Sequence, residues 1–165
     1  MNWFKNSLNF LVLSIIVLLS GIMLGCNTND SGDSNPVPSG KVMNVTSVSP
    51  SSNSAVAANS NTLKITFTDN IESSSLKINT TDYRCDGSVQ ISKNNFSNCL
   101  KLKSQSVSKK ILSITIADKF KTGETYKIKV PIFSVKSTNN VKLEKTYTQS
   151  IGFIIVTPVK CKDFK

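Results

Sequence analysis

The chain has 165 residues, a formal net charge of +10 and no histidine. Missing histidine removes the commonest general base and the side chain best suited to proton exchange near neutral pH. The positive charge is nearly all lysine, with Arg84 the sole arginine, and this argues against a nucleic-acid reader, because arginine is the usual fork for phosphates and base edges.

The chain opens with one charge, Lys5, then an apolar run from Phe10 to Leu24, then Gly25 and Cys26. An apolar core of this length behind a charged start is read as a cleavable export signal, since a bilayer-spanning helix wants about 20 apolar residues. The cysteine directly after Gly25 resembles the lipobox of bacterial lipoproteins. That resemblance implies cleavage before Cys26, acyl chains on its thiol and an envelope location at the outer membrane. Met23 and Leu24 replace the usual Leu and small residue of that motif, a relaxed form similar to that of spirochaete lipoproteins. Residues 1–25 are thus assigned to the signal and 26–40 to a flexible Asn/Ser/Gly/Pro linker. About 140 residues remain, enough for one domain over 41–158 with a polar tail over 159–165.

From Val42 onward, short alternating runs are separated by polar turns, and no apolar repeat has helical period. Strands are expected at Val42–Val48, Leu63–Thr68, Leu76–Ile78, Ser88–Ile91, Cys99–Lys103, Leu112–Ile116, Tyr126–Val130 and Ile151–Val156. Alternation turns Leu112, Ile114, Ile116, Tyr126, Ile128, Val130, Ile151, Phe153 and Ile155 inward and leaves Lys101, Lys103, Lys127 and Lys129 in water. Gly123 supplies a positive φ before the Tyr126 strand. The fold class expected is an all-β sandwich of about seven strands.

With Cys26 assigned to lipid, Cys85, Cys99 and Cys161 remain in an oxidising compartment, and an odd number cannot all pair within the chain. Cys85 to Cys99 is the expected disulfide, because the intervening residues read as two short strands around a turn that set the cysteines opposite one another. Cys161 is left free or paired with another molecule. No Cys-x-x-Cys is present to hold a metal, and no metal or cofactor is expected.

Several stretches together look like the bacterial immunoglobulin-like modules of S-layer and other surface proteins. They are Val45-Thr-Ser-Val-Ser-Pro50, Leu63-Lys-Ile-Thr-Phe-Thr-Asp-Asn-Ile71, Phe120-Lys-Thr-Gly-Glu-Thr-Tyr126-Lys-Ile-Lys-Val130 and the strand around Phe153. Cys85 to Cys99 also looks like a cysteine-bracketed hairpin of related spirochaete lipoproteins. The resemblance implies an immunoglobulin-like fold and a non-catalytic role as spacer or binding surface. Tyr126 is then either a tyrosine corner, its hydroxyl bonded to upstream backbone, or an ordinary core residue.

Ser74-Ser-Leu-Lys77, Ser92-Lys-Asn94 and Lys121-Thr-Gly123 reproduce in order the elements of penicillin-recognising serine enzymes. They lie in strand and turn patterns rather than on helices, and a chain rich in Ser, Lys and Asn is expected to contain them by chance. Asp82 with Asp86, and Asp69 with Glu72, have no calcium-loop spacing and are read as turn carboxylates. Lys101, Lys103, Lys127 and Lys129 are the candidate polyanion-binding residues, read as a basic stripe on a sheet face; the plainer account is that they keep strand faces soluble. The functional expectation is a lipid-anchored, non-enzymatic binding or adhesion module with a protein or anionic-glycan ligand, or else a structural spacer with none.

Overall fold

The computed structural model describes residues 40–158. The signal expected over 1–25, Cys26, the expected linker except Gly40, and Cys161 lie outside the described residues. Among the described residues, nine strands form two sheets: β1 Val45–Ser49, β2 Ala55–Ala57, β3 Thr62–Phe67, β4 Gln90–Ser92, β5 Leu102–Ser108, β6 Ile111–Ile116, β7 Thr125–Val130, β8 Tyr147–Thr148 and β9 Phe153–Val156. One sheet has the order β1-β3-β6-β5; the other has the order β2-β9-β7-β4, with β8 also paired to β7. The first strand leaves one sheet at Pro50, and its continuation β2 joins the other, parallel to β9. This is the expected immunoglobulin-like sandwich.

The core is what period-two alternation dictates. Leu63, Ile65 and Phe67 from β3, and Leu112, Ile114 and Ile116 from β6, face Tyr126, Ile128 and Val130 from β7 and Phe153 and Ile155 from β9. All are essentially removed from water, each contributing on the order of 1.5–3 kcal/mol by burial.

Ile151 corrects the alternation, being 58% exposed. The reason lies in Gly152, whose backbone presses against the Tyr126 carbonyl so closely that no side chain fits. Pairing with β7 begins only at Phe153, and Ile151 stands outside the ladder. Leu76–Ile78 is likewise no strand. Lys77 N–H donates to the Ser88 hydroxyl at 3.0 Å, and the Ser88 N–H returns to the Lys77 carbonyl at 2.7 Å, so backbone needs are met without a ladder.

Strand direction gives the sandwich two distinct ends. The chain reaches the domain where Met43 pairs with Leu143 and Val45 with Phe67. At this end β7 runs out into Pro131–Phe133, and Glu72 N–H bonds the Lys136 carbonyl. At the opposite end lie the start of β5, the end of β6, the start of β7 and the Cys85–Cys99 disulfide. A six-residue strand such as β7 places about 20 Å between the two ends.

Candidate functional site

The far end carries a cleft of about 420 Å³ lined by Tyr83, Ser92–Asn94, Asn98–Leu100, Asp118, Lys119, Lys121 and Tyr126. Three segments build it. The first is the loop from Ser92 to Cys99, which closes on side chains rather than as the second strand of a hairpin. Ser92 Oγ accepts the N–H groups of Asn94 at 3.2 Å and Phe96 at 3.0 Å and donates to the Asn98 carbonyl at 2.6 Å. Asn98 N–H donates to Asn94 Oδ1 at 3.0 Å. Asn95 and Phe96 take positive φ at the turn.

The second segment precedes it. Cys85 and Cys99 are disulfide-bonded with a Cα separation of 5.0 Å, as expected, although only β4 between them is a strand. Cys99 N–H bonds the Tyr83 carbonyl at 2.8 Å, which sets Tyr83 at the rim, 52% exposed. Asp82 is fixed nearby by Asn79 Nδ2 at 2.6 Å and by Arg84; the Asn79 hydrogen bond first, and the Arg84 contacts after it, hold its carboxyl below the usual aspartate range.

The third segment is Asp118–Lys121. Tyr126, fully buried, accepts the Lys121 N–H on its hydroxyl at 3.2 Å, so the tyrosine-corner reading is the one realised. Its ring packs on Phe120 at 4.9 Å and Phe153 at 6.1 Å. Asp118 Oδ2 accepts the Lys101 N–H at 2.8 Å. Lys93 and Glu124 pair at 2.7 Å across the side of the cleft. The shared hydrogen bond raises the Lys93 pKa and lowers that of Glu124.

The acceptors of the cleft are therefore largely spent on its own backbone. Ser92 Oγ, Asn94 Oδ1, Asp118 Oδ2 and Tyr126 Oη each take a chain N–H, Asp118 Oδ1 stays an acceptor, and the Asn94 amide, the Tyr126 O–H and the ammonium groups of Lys119 and Lys121 remain donors. Such a lining suits an oxygen-rich anion.

The four candidate lysines are not brought together as one stripe. Lys103 is on β5 of one sheet, whereas Lys127 and Lys129 are on β7 of the other, and the outer faces of a two-sheet sandwich point away from each other. Lys101 lies 4.9 Å from the Tyr83 ring centre and Lys129 lies 4.5 Å from that of Phe96. Lys119 and Lys121, outside these four, are the ones that line the cleft. Tyr83 and Asn98 carried no pattern that marked them; the available signal was a run of Asn and Ser bracketed by cysteines. The serine-enzyme elements are also separated. Ser92, Asn94 and Lys121 line the cleft, but Ser74 is at the other end, donating to Glu72 Oε1 at 3.1 Å. Among the described residues, no three His, Cys, Asp or Glu side chains are grouped to hold a metal.

A family model described as a bacterial Ig-like domain matches residues 40–153. No curated protein matches the chain in sequence. Among solved structures, the N-terminal part of the bacterial S-layer protein SbsC is 23% identical, with a TM-score of 0.48 over 72% of this chain and 24% of that one. CopC from Methylosinus trichosporium OB3b is 18% identical, with a TM-score of 0.48 over 73% of this chain and 99% of that one. The chain spans about a quarter of the length of the S-layer chain it matches.

Proposed function

Because this chain belongs to the bacterial Ig-like domain family, we propose that it is a non-catalytic envelope module, held to a membrane by acyl chains on Cys26, that binds an acidic glycan in the cleft at its far end. The observation that carries this reading is the spent-acceptor lining of the cleft, which leaves Lys119, Lys121 and the Tyr126 O–H as donors for a carboxylate or sulfate. Tyr83 adds an exposed ring at the rim, a flat apolar face of the kind that packs on the C–H face of a sugar. Placement supports it too. A chain tethered at Cys26 enters the domain near Met43, at the end opposite the cleft. Exported Ig-like modules act through surfaces rather than through reacting groups, and the absence of histidine in the sequence fits that role.

Two measurements test the proposal. The mass of protein taken from membranes should correspond to a chain starting at Cys26 with added acyl groups, and Cys26→Ala should abolish that mass. Titration with uronic-acid or sulfated oligosaccharides should saturate, weaken with salt and fall about tenfold in Lys119→Gln/Lys121→Gln, while neutral oligosaccharides should not bind. If no acidic saccharide binds saturably, the domain is a spacer.

A further inference from the structure

We propose that the opposite end, where the chain reaches the domain, is a membrane-contact surface for an anionic bilayer; this rests on the lipid-anchored reading. Phe133 is 60% exposed, and Ile132 and Val42 beside it are also exposed. Hydrogen bonds tie down the segments that carry them. Phe133 N–H donates to the Leu143 carbonyl at 2.8 Å, Leu143 bridges Met43, and Ile132 N–H donates to Thr146 Oγ1 at 2.9 Å.

Phe133 also has φ of 59°, a backbone region that bulky residues seldom occupy. Two residues on, Val135 is fully buried. The chain thus holds an aromatic side chain in water by an unfavourable backbone conformation while core space is used by its neighbour, and such outliers collect at binding surfaces.

Charge completes the match. Lys142 Nζ lies 5.9 Å from the Phe133 ring centre. Lys145 lines a shallow recess with Asn44 and Val45, and the Lys109–Lys110 turn is bonded to Ile71 and Phe67 at this same end. Glu144, also exposed, lies between Lys142 and Lys145, and lysines still outnumber it beside the apolar tips. Such a composition enters the headgroup layer of an anionic membrane, with ring and aliphatic groups at the acyl boundary and ammonium groups on phosphate. The occupant is indicated by the chain itself, since Cys26, read as the acylated residue, stands shortly ahead of Gly40.

The test uses the sequence's single tryptophan, Trp3, which leaves with the signal. In protein cut at Cys26, the indole introduced by Phe133→Trp is then the sole one, and Tyr83→Trp in a separate variant reports the far end. With the lipidated proteins in phosphatidylglycerol vesicles carrying brominated acyl chains, the Phe133→Trp variant should be blue-shifted and quenched several-fold more than the Tyr83→Trp variant. Adding Lys142→Glu/Lys145→Glu should lower the docked fraction at least fivefold for each lysine lost, and phosphatidylcholine should give little quenching. Equal quenching of the two variants in acylated form would overturn the proposal while leaving the anchor intact. If the Phe133→Trp variant carries no acyl groups and is still quenched by added vesicles, the anchor alone is refuted. A lipid-independent blue shift of that variant with dimeric sedimentation would assign the surface to a second copy and overturn the membrane reading.

Discussion

Tyr126→Phe isolates one hydrogen bond that serves both fold and cleft. The ring of Tyr126 is stacked among Phe120 and Phe153, and phenylalanine keeps that packing. What is lost is the acceptor for the Lys121 N–H at 3.2 Å, in a part-buried position where an orphaned donor costs about 1–3 kcal/mol. Because Lys121 itself is exposed, water recovers part of this, and the expected loss is about 1–2 kcal/mol. For a domain of this size, that is a fall in Tm of roughly 4 °C per kcal/mol. Tyr126→Ala empties the ring site as well and should cost about 3–5 kcal/mol. Urea denaturation of the two variants, with the slope of the transition unchanged in Tyr126→Phe, separates the bond from the packing. The same substitution should weaken acidic-saccharide binding beyond the stability change, since it removes the Tyr126 hydroxyl donor from the residues lining the cleft. A Tyr126→Phe protein as stable as the parent would mean that the corner is not a structural tie.

Replacing both Cys85 and Cys99 by alanine opens a loop whose ends are 14 residues apart and should cost about 3 kcal/mol in the chain-entropy picture, read by thermal melting of parent and variant without reductant. Gly152→Ala drives a methyl group into the Tyr126 backbone and should cost about 3 kcal/mol or more as β9 is pushed off β7. Gly123→Ala, which meets no atom but sits at φ of +81°, should cost only about 1–2 kcal/mol, and equal losses in urea melts of the two would refute the steric account. The Lys93–Glu124 pair is a pH-dependent latch on the cleft. Because Glu124 titrates below its ordinary value, its contribution is present above the usual glutamate range and lost as pH falls through the lowered value. Because Lys93 titrates above its own, that side is lost as pH rises through the raised lysine value. Amide exchange of Asn94 and Asn98 should therefore quicken in acid relative to β6, and Glu124→Gln should remove that acid dependence.

The sandwich was legible because its central strands bury one face each, so Leu63-Lys-Ile-Thr-Phe and Leu112-Ser-Ile-Thr-Ile print their pairing as alternation. Where burial is thin, the pattern fades. The edge strand β5 continues from Leu102 to Ser108 through Ser104, Gln105 and Ser106, residues that read as loop because only Leu102 is buried. The short β2 and β8 leave little to alternate. Elsewhere side chains stand in for ladder bonds, as when buried Gln149 accepts the Ile128 N–H at 3.0 Å and donates to the Pro50 carbonyl at 2.9 Å. A polar run around Gln149 gives no hint of this, since hydrogen-bonding capacity has no period.

The cleft was hidden for a related reason. Its lysines are indistinguishable in sequence from those that keep β7 and β5 soluble, and only the third dimension sets Lys119 and Lys121 beside Tyr126 while sending Lys103 and Lys127 to different sheets. What singles out the cleft is the pairing of acceptors rather than the count of charges. The oxygens of Ser92, Asn94, Asp118 and Tyr126 that would compete for Lys119 and Lys121 each hold a backbone N–H of the loops that shape the site. The loop closures that stabilise this end thus occupy four of the acceptors facing its donors, while Asp118 keeps its charge and its second oxygen. An anion that binds there meets charge already in place and needs little rearrangement to reach it.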